Sequence, residues 1–131
     1  MNDSLLIAYI QKAIPSLIAL YRFGSAERGA VRPESDIDLA IFSREALPEL
    51  RRFELAQDLA IQLHRDVDLV DLRSASTVMR MQIISTGTCL TSVDEQARRE
   101  FEMYTYSDYA RLNEERRDIL KRISASGLVY G

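Results

Sequence analysis

Cysteine is almost absent. The single thiol, Cys89, lies in "GTCLTS" among apolar neighbours, so no disulfide framework is available and the residue reads as an inert, partly buried thiol. Long apolar runs are missing too: nothing approaches the roughly 20 residues that span a bilayer. The opening "MNDSLLIAYIQKAIP" has no basic leader, and Tyr9, Gln11 and Lys12 interrupt its apolar positions, which predicts a cytoplasmic protein with no membrane partner. Positive charge is in deficit, with 17 Lys and Arg against 20 Asp and Glu, a net charge of −3 and a pI near 5.2. That balance argues against holding nucleic acid by phosphate neutralisation. The arginine pairs at 51–52, 98–99 and 116–117 read as solvated helix faces. The one histidine, His64, reads as a surface or capping residue at a helix end. No repeat, linker or low-complexity segment breaks the chain.

What is present suits one domain over residues 1–131: a chain of this length with 47% hydrophobic content buries roughly two-thirds of its unfolded surface. Leu6, Ile10, Ala13 and Ile14 recur at helical spacing behind a cap at Asn2, Asp3 or Ser4, and Pro15 stops that helix. The apolar run "SLIALYRF" at 16–23 reads as a buried strand ending at Gly24-Ser25, followed by a loop and a second strand at 36–42. Pro48 opens a helix with a stripe of Leu50, Phe53, Ala56, Ala60 and Leu63 that ends near His64. "DVDLVDL" at 66–72 alternates as a strand, helix follows from 75 to 85 with Gly87 as its stop, and 88–91 forms a short extended piece. Helical spacing returns from Asp94 to Ile123, with a break expected at "YTYSDY" where Ser107 can cap a second helix. The expected fold is α/β (α+β): a small mixed sheet with helices packed on one face, the acidic site on the other, and a C-terminal helical segment.

The stretch "GSAERGAVRPESDIDLAI" carries the chemistry. Aspartate is a poor strand former, yet Asp36 and Asp38 alternate with Ile37, Leu39 and Ile41. Residues two apart share a side, so both carboxylates face away from the aliphatic positions, and Asp68 joins them if the strand at 66–70 pairs alongside. Two such charges about 4 Å apart repel by roughly 4 kcal/mol at an effective dielectric near 20. A divalent cation relieves that repulsion, and oxygen ligands favour Mg²⁺. Gly24 lets backbone N–H groups approach a phosphate, the Ser25 hydroxyl can donate to it, and Arg28 is a further candidate contact. "GSAERG" matches half of a Walker A motif, but Ala30-Val31 stands where Lys-Ser/Thr is required, which excludes a P-loop. Asp66 and Asp71 compete with Asp68 for the third position. Asp71 has the opposite parity, and Asp66 lacks a preceding apolar residue, so Asp68 is favoured.

A strand ending in Gly-Ser, ten residues, Asp-x-Asp and a later aspartate in an apolar-Asp-apolar strand resembles the DNA-polymerase-β-like nucleotidyltransferases. "GSAERG…SDIDLAI" with "DVDLVDLRSAS" is similar to their minimal MNT branch, over about residues 17–90. Within that branch, "ELAQDLA…RDVDLVDLRSASTV" most resembles the MNT antitoxins of HEPN/MNT toxin–antitoxin pairs. The resemblance implies that Asp36 and Asp38 bind two Mg²⁺ ions, Gly24 and Ser25 the ATP triphosphate, and that Asp68 is the third carboxylate. It further implies AMP transfer to a tyrosine of a partner HEPN ribonuclease. Rival readings are an enzyme that adenylylates a small molecule, such as an antibiotic, and an antitoxin that acts by contact alone. The first has little chain left for a substrate pocket, and the second leaves the carboxylates unexplained.

Overall fold

A computed structural model describes residues 3–24 and 36–125. The described elements run α1 (Asp3–Ala13), β1 (Leu17–Phe23), β2 (Ile37–Ser43), α2 (Glu49–Leu63), β3 (Val67–Asp71), α3 (Thr77–Thr86), β4 (Thr88–Ser92) and α4 (Glu95–Ala125). Four strands form one mixed sheet in the order β3-β2-β1-β4. β1 pairs antiparallel with both β2 and β4, and β2 pairs parallel with β3. The parallel pair needs a crossover, which α2 supplies.

Helices cover both faces of the sheet, not one. Leu39 and Ile41 of β2 pack with Leu6 and Ile10 of α1 and Leu55 and Leu59 of α2. Ala40 and Phe42, of the other parity, pack with Ile83 of α3 and against Ala97 and Phe101 of α4. The cause is legible in β1 and β2 themselves: both parities are apolar along most of their length, and a strand buried on both faces needs cover on both. The acidic residues therefore share a face with α3 and α4, beyond the end of their packing.

α2 stops where expected, with His64 as its C-cap in the left-handed region at φ 55°. Its buried stripe is Leu55 and Leu59, flanked by Ala56 and Leu63, while Leu50 and Phe53 stay exposed. The difference is one of phase: residues 55, 59 and 63 form an i, i+4 row, and 50 and 53 lie to its side. Because Leu59 is wholly buried between α2 and the sheet, Leu59→Ala is expected to cost about 2–5 kcal/mol by urea unfolding, whereas Ile61→Ala, at 70% exposure, should stay within about 0.5 kcal/mol.

α4 is a single helix of 31 residues without the expected break. "YTYSDY" contains no Gly or Pro, Ser107 is exposed, and the buried Thr105 donates its hydroxyl to the Phe101 carbonyl at 2.9 Å within the helix, so nothing there interrupts it. No helix among the described residues is long and apolar enough to cross a membrane.

Candidate active site

The site begins at the end of β1. Gly24 has φ +83°, a conformation that L side chains avoid, and it abuts Asp38. A Cβ on Gly24 would lie 2.1 Å from Asp38 Oδ2 and 2.9 Å from its Cγ. The absent side chain is therefore the space that the Asp38 carboxylate occupies.

In β2, Asp38 sits between two register partners, Phe23 on β1 and Asp68 on β3. Parallel neighbours lie about 4.8 Å apart, so the two aspartates stand side by side. Asp38 has the parity of Ala40 and Phe42, and Asp68 that of Val70 and Leu72, which places both on the α3/α4 side. Asp38 is half-buried and Asp68 exposed; Asp36, exposed, stands one residue before β2. Gly24, Asp38 and Asp68 thus stand together at one end of the sheet, with Asp36 two residues before Asp38 in the chain. Among the described residues no group of three His, Cys, Asp or Glu side chains is drawn together tightly enough to hold a metal ion as it stands. Ser25 and Arg28 lie outside the described residues.

The competing aspartates have other work. Asp71 is buried, and its carboxylate accepts the Leu47 N–H at 2.8 Å and the Arg73 N–H at 3.0 Å, tying two loops to the end of β3. Asp66 contributes its backbone carbonyl, which accepts the Ile37 N–H at 2.9 Å and starts the β2–β3 pairing.

At the site, Asp38 and Asp68 are like charges side by side at a partly open rim. Oxygen donors of one sign at a partly open rim, next to a backbone that approaches closely at Gly24, fit a hard divalent cation together with a phosphate.

A second polar cluster went unnoticed in the sequence. Tyr21, fully buried in β1, donates its hydroxyl to Glu102 at 3.1 Å, and Arg98 bridges Glu102, at 2.9 Å, and Glu95. Burial, then the Glu102 charge, pushes the Tyr21 phenol well above its ordinary value. Arg98 holds Glu95 down at about 2. The cluster fastens α4 to the sheet, so Arg98 is a structural brace rather than part of a solvated face. Arg52 is another, donating to the Leu69 carbonyl at 2.9 Å. The i, i+3 and i, i+4 acids around Arg98 were the available signal. Cys89, opposite Tyr21 on β4, is exposed rather than partly buried; desolvation still pushes its thiol up, so it stays protonated at neutral pH.

The comparison with known proteins agrees with this architecture. The family model "Polymerase beta, Nucleotidyltransferase" matches residues 5–96. Over 128 residues the chain is 40% identical to the protein adenylyltransferase MntA of Shewanella oneidensis, covering 96% of this chain and 90% of that one. A crystal structure of a toxin–antitoxin with AMP-PNP superposes with a TM-score of 0.84 at 40% identity, over 95% of this chain and 99% of the other. A structure of the tri-AMPylated HEPN toxin of Shewanella oneidensis in complex with its MNT antitoxin matches with a TM-score of 0.77 at 38% identity, covering 93% and 95%. A mixed sheet that sets Gly24, Asp38 and Asp68 side by side, with this match over most of its length, makes the chain a member of the polymerase-beta nucleotidyltransferase family.

Proposed function

We propose that this chain is an antitoxin that transfers AMP from Mg·ATP to a tyrosine hydroxyl of a partner HEPN ribonuclease and so silences it. The observation that carries the reading is the pairing of Asp38 with Asp68, onto which the bare backbone of Gly24 opens. The names of the relatives point the same way: one is called a protein adenylyltransferase, and another was crystallised with an AMPylated HEPN toxin.

In this reading Asp36 and Asp38 would hold Mg²⁺, with Asp68 completing the set, and the cation would supply neutralisation of charge at the α-phosphate and on the departing pyrophosphate. The Gly24 backbone, with Ser25 and Arg28 following in the sequence, cradles the triphosphate. The tyrosine oxygen bonds to the α-phosphorus as the bond to the bridging oxygen of the β-phosphate breaks, and pyrophosphate leaves. A tyrosine with an ordinary pKa near 10 must lose its proton to react at neutral pH, and the reading assigns that proton to Asp68, the more exposed member of the pair. A small-molecule acceptor is the rival, and the test separates the two.

Wild-type chain, ATP, Mg²⁺ and the HEPN partner should yield a partner carrying AMP in intact-mass spectra. ATP should raise the chain's Tm only with Mg²⁺ present. Asp68→Asn should keep that Mg·ATP shift while transfer falls by about 10²- to 10⁴-fold. Undiminished modification in Asp68→Asn would remove the proton role, and no modification with the wild type would remove the protein acceptor.

A further inference from the structure

A second concave site lies on the same face of the sheet as the carboxylates but towards its other end. A cleft of about 360 Å³ opens between the C-terminal end of β2, the start of α3 and the middle of α4. Phe42 and Phe101 stack in its wall with ring centroids 4.1 Å apart. Arg73 lies over Phe42 at 4.7 Å and Arg80 over Phe101 at 5.6 Å. The four side chains thus form one interleaved stack of two rings and two guanidinium groups. Both arginines are also fixed from behind: Arg73 Nε donates to the Ser43 carbonyl, Arg80 Nε to the Leu72 carbonyl at 2.7 Å and Arg80 Nη2 to the Arg73 carbonyl at 2.8 Å.

No carboxylate among the described residues pairs with either of them, whereas Arg44, on the same cleft, pairs with Asp94 at 3.1 Å. Two cations held in place by carbonyls and aromatic faces lose little freedom on meeting an anion, and the guanidinium fork suits a carboxylate. The lining also includes Glu100 and Asp108, which oppose a polyanion such as a nucleoside triphosphate. Ile18 and Ala97 add apolar wall. A single carboxylate flanked by apolar atoms fits this mixture.

We propose that the cleft receives an aspartate or glutamate, next to an apolar residue, on the surface of the protein partner. The proposal rests on the reading that the acceptor is a protein. Phe42 lies four residues along β2 from Asp38, about 13 Å, which is too far for one small acceptor to reach both places and well within a standard interface of about 800 Å² per partner. The cleft is thereby a docking point that positions the acceptor hydroxyl at the far end of the sheet.

The test is the double variant Arg73→Gln/Arg80→Gln in the full chain, with affinity for the HEPN partner measured by calorimetry at two salt concentrations. The expected result is binding about 30-fold weaker or more, with shallower salt dependence and an unchanged Mg·ATP thermal shift. Arg73→Lys/Arg80→Lys should recover only part of the loss, because charge returns without the fork. Tyr104→Glu serves if the double variant does not fold: Tyr104 lines the cleft at 67% exposure, and a like charge there should repel the incoming acid and weaken binding about tenfold or more. Wild-type affinity in the folded variants overturns the proposal while leaving the protein acceptor standing. Loss of an equivalent of bound ATP analogue with partner affinity intact overturns it in favour of a nucleotide or phosphate site. Failure of the wild-type chain itself to bind the partner overturns both readings together.

Discussion

Changing Asp36 and Asp38 together to asparagine is expected to lower AMP transfer at least about a thousandfold with the fold intact. The two side chains sit at the rim of the sheet, outside both apolar clusters, so no core contact is lost. Asparagine preserves their shape and removes the charge that draws a divalent cation to a carboxylate rim. Removing one preorganised electrostatic group from an active site commonly costs 10²- to 10³-fold, and here two go at once. The Mg²⁺-dependent rise in Tm with ATP should disappear, while the chain without ligand should still unfold cooperatively. Near wild-type transfer by the double variant would exclude these residues from the metal site.

Gly24→Ala should damage stability and transfer together, by a route that involves no charge. At φ +83° an L residue costs about 1–3 kcal/mol, and its methyl would fall 2.1 Å from Asp38 Oδ2. Either the backbone leaves the left-handed region or the carboxylate turns away, and both displace Asp38 relative to Asp68. A misplacement of about 1 Å can cost on the order of 10²-fold in rate, so transfer should fall by about that factor and Tm by several degrees. Single-turnover assays beside thermal melts check this. Full activity in Gly24→Ala would show that Asp38 is free to take another rotamer.

The strands were readable because their signals are local. "SLIALYRF" and "IDLAI" announce themselves by apolar content, and the observed β1 and β2 begin one residue later than the sequence suggests. The piece expected at 88–91 is β4, and Gly87 ends α3 as its position predicts. Parity puts Asp38 and Asp68 on one side once the two strands pair, and the apolar residue before Asp68 separates it from Asp66. Asp71 was excluded by the same rule, and its buried carboxylate is bonded to two backbone N–H groups. What escaped depends on contacts between distant residues. The stacking of Phe42 on Phe101, 59 positions away in the chain, is one such contact. Arg98 reads as a surface residue in the sequence because the Tyr21 hydroxyl that joins its cluster through Glu102 lies 77 positions away in the chain. Arg73 and Arg80 carry no motif at all, and their stack exists only once α3 and α4 are in place.

The parallel register that sets Asp38 against Asp68 also fixes when the site can come into being. Thirty residues separate the two aspartates, and closing that loop, with α2 formed inside it, precedes any reward from pairing. A slip of one residue would turn Asp68 to the opposite face, so a misaligned β3 withdraws that carboxylate altogether. Assembly of the full carboxylate set is therefore a late event on the folding path: a chain emerging from the ribosome has Gly24 and Asp38 well before β3 exists, and gains Asp68 only when the sheet closes.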